Sequence, residues 1–280
     1  FVRVLTALLS LLSVTLSLTV ACGHRESGAD NPAAEPAVGP TSYPLTIENC
    51  GVRVTFDGPP QRAVSLYQSS TEILLALGLA DRMVGTSTWF DPVLPELAAD
   101  NATVPRLADN DPGLETVLDV EPDLVTSASA HTFTSAVVAD RSKFAQLGIP
   151  TYQSPSVCTG AKVDGETVTR IEPLALDTLF REIGELAQIF DVQERGRDLI
   201  DRLTRRLDDT PSITEPDTSV AFWFSGLRTP YLAGCCSAPG LYATELGVTN
   251  VFADTREDWP EVSWEALADR DPDVLVLADL

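Results

Sequence analysis

The chain has 280 residues, room for two lobes of ordinary domain size, and its 44% hydrophobic and 21% charged content are globular values. Asp and Glu number 41 against 19 Lys and Arg, a formal charge of −22. Charge of that sign repels nucleic-acid phosphates and anionic lipid head groups, which argues against both as partners.

Arg3 and the apolar run from Leu5 to Ala21 read as a signal peptide over residues 1–21. Cys22 follows a small residue, as lipoprotein processing requires: its thiol takes a diacylglycerol and cleavage leaves it first. A transmembrane anchor is the competing reading, because the run approaches spanning length. The Gly-, Pro- and Ala-rich stretch that follows, without a basic flank, favours processing. Phe1 stands where Met is expected, so the sequence reads as clipped at this end. Residues 22–42 show no apolar period and are expected to be a lipid-anchored flexible tether, with His24 carrying no ligand role. The expected location is the outer face of the cytoplasmic membrane, with the membrane touched only through the lipid on Cys22.

Thr46 to Phe56 reads as a hairpin turned at Cys50-Gly51. Arg62 to Tyr67 is a β run, and Gln68 to Leu77 a helix that Ser and Thr side chains are expected to cap, with Glu72 at its positive end and Gly78 as its stop. Met83 to Ser87 follows as a strand, Pro112 to Val120 as a helix, and Asp123 to Ser127 as a strand. Arg141 to Leu147 is a helix stopped by Gly148, and Ile149 to Gln153 another strand. Such alternation predicts α/β architecture: a largely parallel sheet with helices on its faces.

Residues 173–209 change character. Leu179, Ile183, Leu186 and Phe190 keep one helical face; Leu199, Ile200, Leu203 and Leu207 keep another, with a turn at Asp191-Val192. A first helix of about 17 residues would span about 25 Å, enough to link two lobes; an ordinary surface pair of helices shows the same period. Alternation resumes with a strand at Ser219 to Phe224, helices at Leu241 to Leu246 and Val262 to Ala268, and a strand at Asp273 to Ala278. The predicted organisation is an N-terminal α/β lobe over 43–172, a linking helical segment over 173–209 and a C-terminal α/β lobe over 210–280. That last lobe is expected to be truncated, since its final strand has no covering helix.

With Cys22 assigned to lipid, Cys50, Cys158, Cys235 and Cys236 remain. An even number in an oxidising compartment suggests disulfides, with three connectivities open. The favoured pairing joins Cys50 to Cys158 and leaves Cys235 and Cys236 as a vicinal pair. A four-thiolate metal site wants two separated CxxC pairs, which are missing.

The segments Arg62-Ala63-Val64-Ser65-Leu66, Glu72 to Gly78, Glu121-Pro122-Asp123-Leu124-Val125, Leu147-Gly148-Ile149-Pro150, Gly247 to Asp254, Val262-Ser263-Trp264-Glu265 and Asp271-Pro272-Asp273-Val274 come in a telling order. Together they resemble the periplasmic-binding-protein family of iron-complex and cobalamin transporters, over about residues 45–280. Val248 departs from the pattern, where a second glycine is usual. The resemblance implies two lobes joined by a long helix, with a cleft between them for a ferric siderophore, cobalamin or haem, and an ABC permease as partner. In that family one glutamate per lobe meets the permease, which points to Glu72 and Glu245.

Open α/β lobes bind ligands beyond the carboxyl ends of their strands. Tyr67, Gln68 and Ser69 leave the first strand there, Trp89 and Phe90 the second, and Ser129, His131 and Phe133 the third. Trp223 and Phe224 close a second-lobe strand, with Arg228, Tyr231 and Trp259 in the loops around it. Rings at strand ends suit a large chelate, and Arg228 could pair with an acid or stack. Some of these rings are expected to be core instead, Trp264 among them.

No catalytic motif appears, and His131 is the sole histidine of the folded part, so no enzyme and no cofactor are expected. Bare zinc or manganese would need several converging imidazoles or carboxylates, so no metal site is assigned. The expectation is a monomeric lipoprotein that captures a ferric siderophore or similar chelate for an importer. Cobalamin or haem is the alternative, and an exported hydrolase stands further off.

Overall fold

The computed structural model describes residues 39–164, 167–211 and 217–278. The signal peptide, Cys22 and most of the tether lie outside the described residues.

Strands β1 (Leu45–Asn49) and β2 (Val52–Phe56) form the antiparallel hairpin, turned at Cys50 and Gly51 with φ of 49° and 74°. Strand β3 (Ala63–Ser65) runs into helix α1 (Gln68–Ala76), and β4 (Met83–Thr86) follows. After a short α2 (Ala98–Asn101), α3 (Leu114–Asp119) feeds β5 (Leu124–Ser127) and α4 (Arg141–Gln146) feeds β6 (Thr151–Gln153). The sheet order is β4-β3-β5-β6, parallel throughout.

Alternation along these strands serves two cores. Ala63, Met83, Leu124 and Tyr152 face one core with Leu74 and Leu75 of α1 and Phe56 of the hairpin. Val64 and Val125 face the other, with Val117 of α3 and Phe144 of α4. A sheet covered on both faces needs apolar side chains at successive positions, which explains the unbroken runs in the sequence.

The expected cap of α1 does not form. Tyr67 is the N-cap and makes no side-chain capping bond, and the first turn carries no acid. Thr71 is buried, so its hydroxyl turns inward to the Ser65 hydroxyl (2.9 Å) and the Tyr67 carbonyl (3.1 Å).

Strands β7 (Ala161–Asp164) and β8 (Thr167–Arg170) form a hairpin that was not among the expected elements. Helix α5 (Leu176–Ile189) has 14 residues, shorter than expected, and Asp191 at φ 57° turns the chain into α6 (Gln193–Asp208). Leu174, just ahead of α5, donates to the Cys236 carbonyl of the second sheet's surroundings. Ile183, Leu186 and Phe190 then enter the first lobe's core beside Phe56 and Leu74. The residue that leads into the helix therefore touches the second lobe, and the helix itself packs on the first.

The second lobe comprises β9 (Ser219–Ser225), β10 (Tyr231–Leu232), α7 (Ala238–Leu246), β11 (Thr249–Asn250), α8 (Trp264–Arg270) and β12 (Val274–Leu277). Central β9 takes β11 and β12 parallel and β10 antiparallel. Helix α7 begins earlier than expected, with Pro239 in its first turn, where a missing N–H is tolerated. Helix α8 begins later, at the Ser263 cap, whose hydroxyl accepts from the Ala266 N–H at 3.1 Å. Ala221, Leu232, Phe252 and Leu267 form a small core of their own.

A disulfide joins Cys50 to Cys158 across a sequence separation of 108, fastening the first hairpin to the segment after β6. Cys235 and Cys236 are bonded to each other.

Candidate ligand-binding site

At the carboxyl end of the first sheet, Gln68 works as a fastener. Its side-chain oxygen accepts the N–H groups of Phe90 and Asp91 at 2.9 Å each, and its nitrogen donates to Glu72 at 3.2 Å. The loop after β4 is thereby held so that Phe90, 51% exposed, meets the Tyr67 ring at 5.3 Å. Burial, and then the Asp111 carboxylate, push the Tyr67 phenol above its usual range. Ser69 is exposed in the first turn of α1.

Trp89 turns aside from this pair. Its indole N–H reaches the Thr86 hydroxyl at 3.3 Å and the Arg106 guanidinium lies 5.5 Å from the ring centre. There it lines a first-lobe cavity of about 260 Å³ with Val93, Val104 and Arg106. Past β5, the Ser127 hydroxyl accepts the Ser129 N–H and the Ser129 hydroxyl accepts that of His131, each at 3.1 Å, leaving His131 half-buried. Phe133 is a correction: it is buried edge-on against Phe144 at 6.0 Å, within the core of α3 and α4, and faces no cleft. An aromatic run gives no signal of which ring turns inward.

In the second lobe, Phe224 meets Trp259 at 4.8 Å, and Trp223 meets Trp264 at 5.6 Å. Trp264, expected in the core, is 36% exposed, with its indole N–H on the Leu227 carbonyl at 2.9 Å. The start of α8 sits beside the end of β9, so a ring there covers the strand's mouth rather than its interior. The Tyr231 hydroxyl donates to Glu261. Arg228 is exposed and forms no ion pair among the described residues.

The two mouths meet at Arg170, which sequence reasoning missed. Its guanidinium donates to the Ser156 carbonyl, just past β6, at 2.6 Å, and to both Asp258 oxygens at 2.9–3.2 Å. Asp258 immediately precedes Trp259. Arg170 is 5% exposed, and the backbone reinforces the junction through Arg170 N–H to Arg256 O and Asp258 N–H to Val168 O. Ala161-Lys162-Val163-Asp164 and Thr167-Val168-Thr169 alternate apolar and polar residues about Asp164-Gly165, a hairpin signal that sequence reasoning passed over. Beneath it, Glu182 of α5 is buried and accepts from the Ser154 hydroxyl, while its Oε1 has no partner among the described residues. Burial pushes this carboxyl up to about 7.

The paired glutamates fall at unlike ends. Glu72 lies near the carboxyl end of β3, accepting the Leu94 N–H at 3.2 Å as well as Gln68. Glu245 is in the last turn of α7, and Thr249 of the following β11 pairs with Ser219, the first residue of β9. It therefore stands at the amino end of its sheet, unlike Glu72. Glu265, in the first turn of α8 next to Trp264, occupies the carboxyl end.

Two α/β lobes, linked by a helix and strapped together where their strands end in exposed rings, define a two-lobed binding protein. The profile of the periplasmic binding protein family matches residues 64–280, and the chain belongs to that family, which supplies substrate-binding components of ABC transporters. It is 27% identical over 220 residues to the vitamin B12-binding protein of Vibrio campbellii, covering 78% of this chain and 71% of that one. The structure of an ABC-type Fe3+-hydroxamate transport system from Saccharomonospora viridis is similar at a TM-score of 0.69 and 29% identity, covering 84% and 80% of the two chains. A periplasmic binding protein from Veillonella parvula shares the fold at a TM-score of 0.70 and 24% identity, covering 84% and 76%. Among the described residues no helix is long and apolar enough to cross a membrane.

Proposed function

We propose that the chain is a lipid-anchored, monomeric receptor, not an enzyme. It captures a ferric siderophore or similar iron chelate outside the cytoplasmic membrane and hands it to its ABC permease. Cobalamin is the second reading, favoured by the likeness to the Vibrio campbellii protein; haem is a third. The observation that carries the proposal is the meeting of two strand-end mouths at Arg170, with Tyr67–Phe90 on one side and Phe224–Trp259 on the other.

In this reading Tyr67, Phe90, Trp223, Trp259 and Tyr231 supply contact area, Arg228 and His131 polar contacts, and Ser69 and Trp89 the rim. Gln68 positions the ring loop. Glu72 and Glu265 are the permease-facing carboxylates, because each stands at its lobe's carboxyl end. Native mass spectrometry after incubation with iron chelates, cobalamin and haem tests the receptor role. One bound chelate per chain is the expected result, and no adduct with any of them would refute it. Radiolabelled palmitate incorporated into the wild type but not Cys22→Ala would establish the anchor.

A further inference from the structure

The two disulfides do unlike work. Cys50–Cys158 spans a sequence separation of 108 and so restrains a long stretch of the unfolded chain, whereas Cys235–Cys236, at a separation of 1, closes almost no loop. The second bond therefore adds little to global stability by that route. Its effect is local: adjacent residues joined through their side chains close a small ring that includes their shared peptide, and the ring limits the backbone torsions within it.

That restricted peptide stands where the junction is tied. The Cys235 N–H donates to the Thr255 carbonyl at 2.9 Å and the Gly234 N–H to the Asp258 carbonyl at 3.1 Å, so this segment holds the loop that presents Asp258 to Arg170. The Cys236 carbonyl accepts the Leu174 N–H at 2.8 Å, just ahead of α5. On one flank the Asn250 amide donates to the Ala233 and Gly234 carbonyls, and a Cβ on Gly234 would collide with the Glu257 carbonyl. On the other, Gly240 of α7 is pressed against the Cys235 carbonyl, with no room for a Cβ. With both flanks packed this tightly, a change in the pair's torsions is passed to the Asp258 loop and to the entry of α5.

We propose that Cys235–Cys236 is a redox modification site that sets how firmly the two lobes are tied. A dithiol reductant attacks the sulfur of Cys235, the more exposed of the two residues; the S–S bond breaks, and the Cys236 sulfur leaves as a thiolate and takes a proton. The reductant's second thiol then resolves the mixed disulfide. Two electrons and two protons pass to the pair, and the reductant ends as a disulfide. With the ring open, the bonds to Thr255 and Leu174 loosen and the grip of Asp258 on Arg170 slackens.

Hydrogen exchange of the full chain, followed by mass spectrometry with and without dithiothreitol, tests this with no ligand present, so its outcome is separate from that of the receptor reading. Reduction should speed exchange about tenfold in peptides covering residues 168–176 and 254–260. Cys235→Ala with Cys236→Ala should show that fast exchange before any dithiothreitol is added and gain nothing from it there. Cys50→Ala with Cys158→Ala, which keeps the vicinal bond, should retain the full response; where that variant does not fold, the wild type against the first variant decides. Peptide-mapped iodoacetamide labelling reports whether the pair has been reduced. A folded chain whose Cys235 and Cys236 stay unlabelled in dithiothreitol, or a reduced pair with unchanged exchange in both stretches, would overturn the proposal.

Discussion

The chain builds one element twice, once in each lobe. In the first lobe α3 is followed by Glu121 at φ 45° and Pro122-Asp123, and β5 runs beside β3; in the second α8 is followed by Asp271 at φ 43° and Pro272-Asp273, and β12 runs beside β9. Each aspartate clamps the start of the neighbouring strand: Asp123 accepts the Gln61 and Arg62 N–H groups at 2.7 and 2.8 Å, and Asp273 the N–H and hydroxyl of Ser219 at 2.9 and 2.7 Å. Those bonds hold the Asp273 carboxyl below its usual range. Among the described residues β5 is buried at every position and β12 exposed at every position. Local chemistry sets the turn and the register, whereas burial depends on what lies across the sheet.

Removing the strap should break the comparison most severely. Arg170→Ala leaves the nearly buried Asp258 carboxylate without its partner, at an expected cost of about 3–5 kcal/mol. Urea denaturation followed by tryptophan emission should then show the lobes unfolding in separate transitions; a single unshifted transition would show that Arg170 couples nothing.

Matched truncations sharpen the contrast. Leu124→Ala in β5 removes a fully buried side chain and should cost about 2–5 kcal/mol, whereas Leu275→Ala in β12, 41% exposed, should stay within about 0.5 kcal/mol. Equal losses in chemical denaturation would mean that β12 is covered in solution.

The smallest effect concerns Glu182. Its carboxyl titrates near 7 in the folded chain, above an unfolded value of 4.5, so the native state holds the extra proton between those limits. Stability should therefore fall as pH rises through that window and level off above it, by on the order of 1–3 kcal/mol. Glu182→Gln should flatten the slope and be the more stable protein at pH 8, as thermal melts across pH 4.5–8 would show.

The same contrast explains what the sequence disclosed. The first sheet was legible because both its faces are covered, so β3 and β5 announce themselves as largely apolar runs, and β6 follows the Gly148 and Pro150 signals. The Pro-Asp elements were legible as strand starts, but not the grip of their carboxylates on strands about 60 and 54 residues away. Phe133 and Trp264 exchanged places relative to expectation because ring identity does not encode which neighbour arrives to cover it. Glu245 misled in a similar way: its helix was read, but which end of the sheet that helix's last turn reaches follows from the pairing of β11 with the start of β9. The β7–β8 hairpin was legible from the alternation around Asp164-Gly165 but was passed over, and its grip on the second lobe was not legible because those partners lie on other segments.

That hairpin also governs how the molecule can move. The Arg170 head is gripped from Ser156 on one side and Asp258 on the other, so pulling the halves straight apart tears hydrogen bonds within the first ångström of travel. Swivelling about the same point leaves both grips intact. In the proposed receptor, opening by rotation about that corner would strain these bonds less than straight separation, and the far edge would then admit a bulky guest.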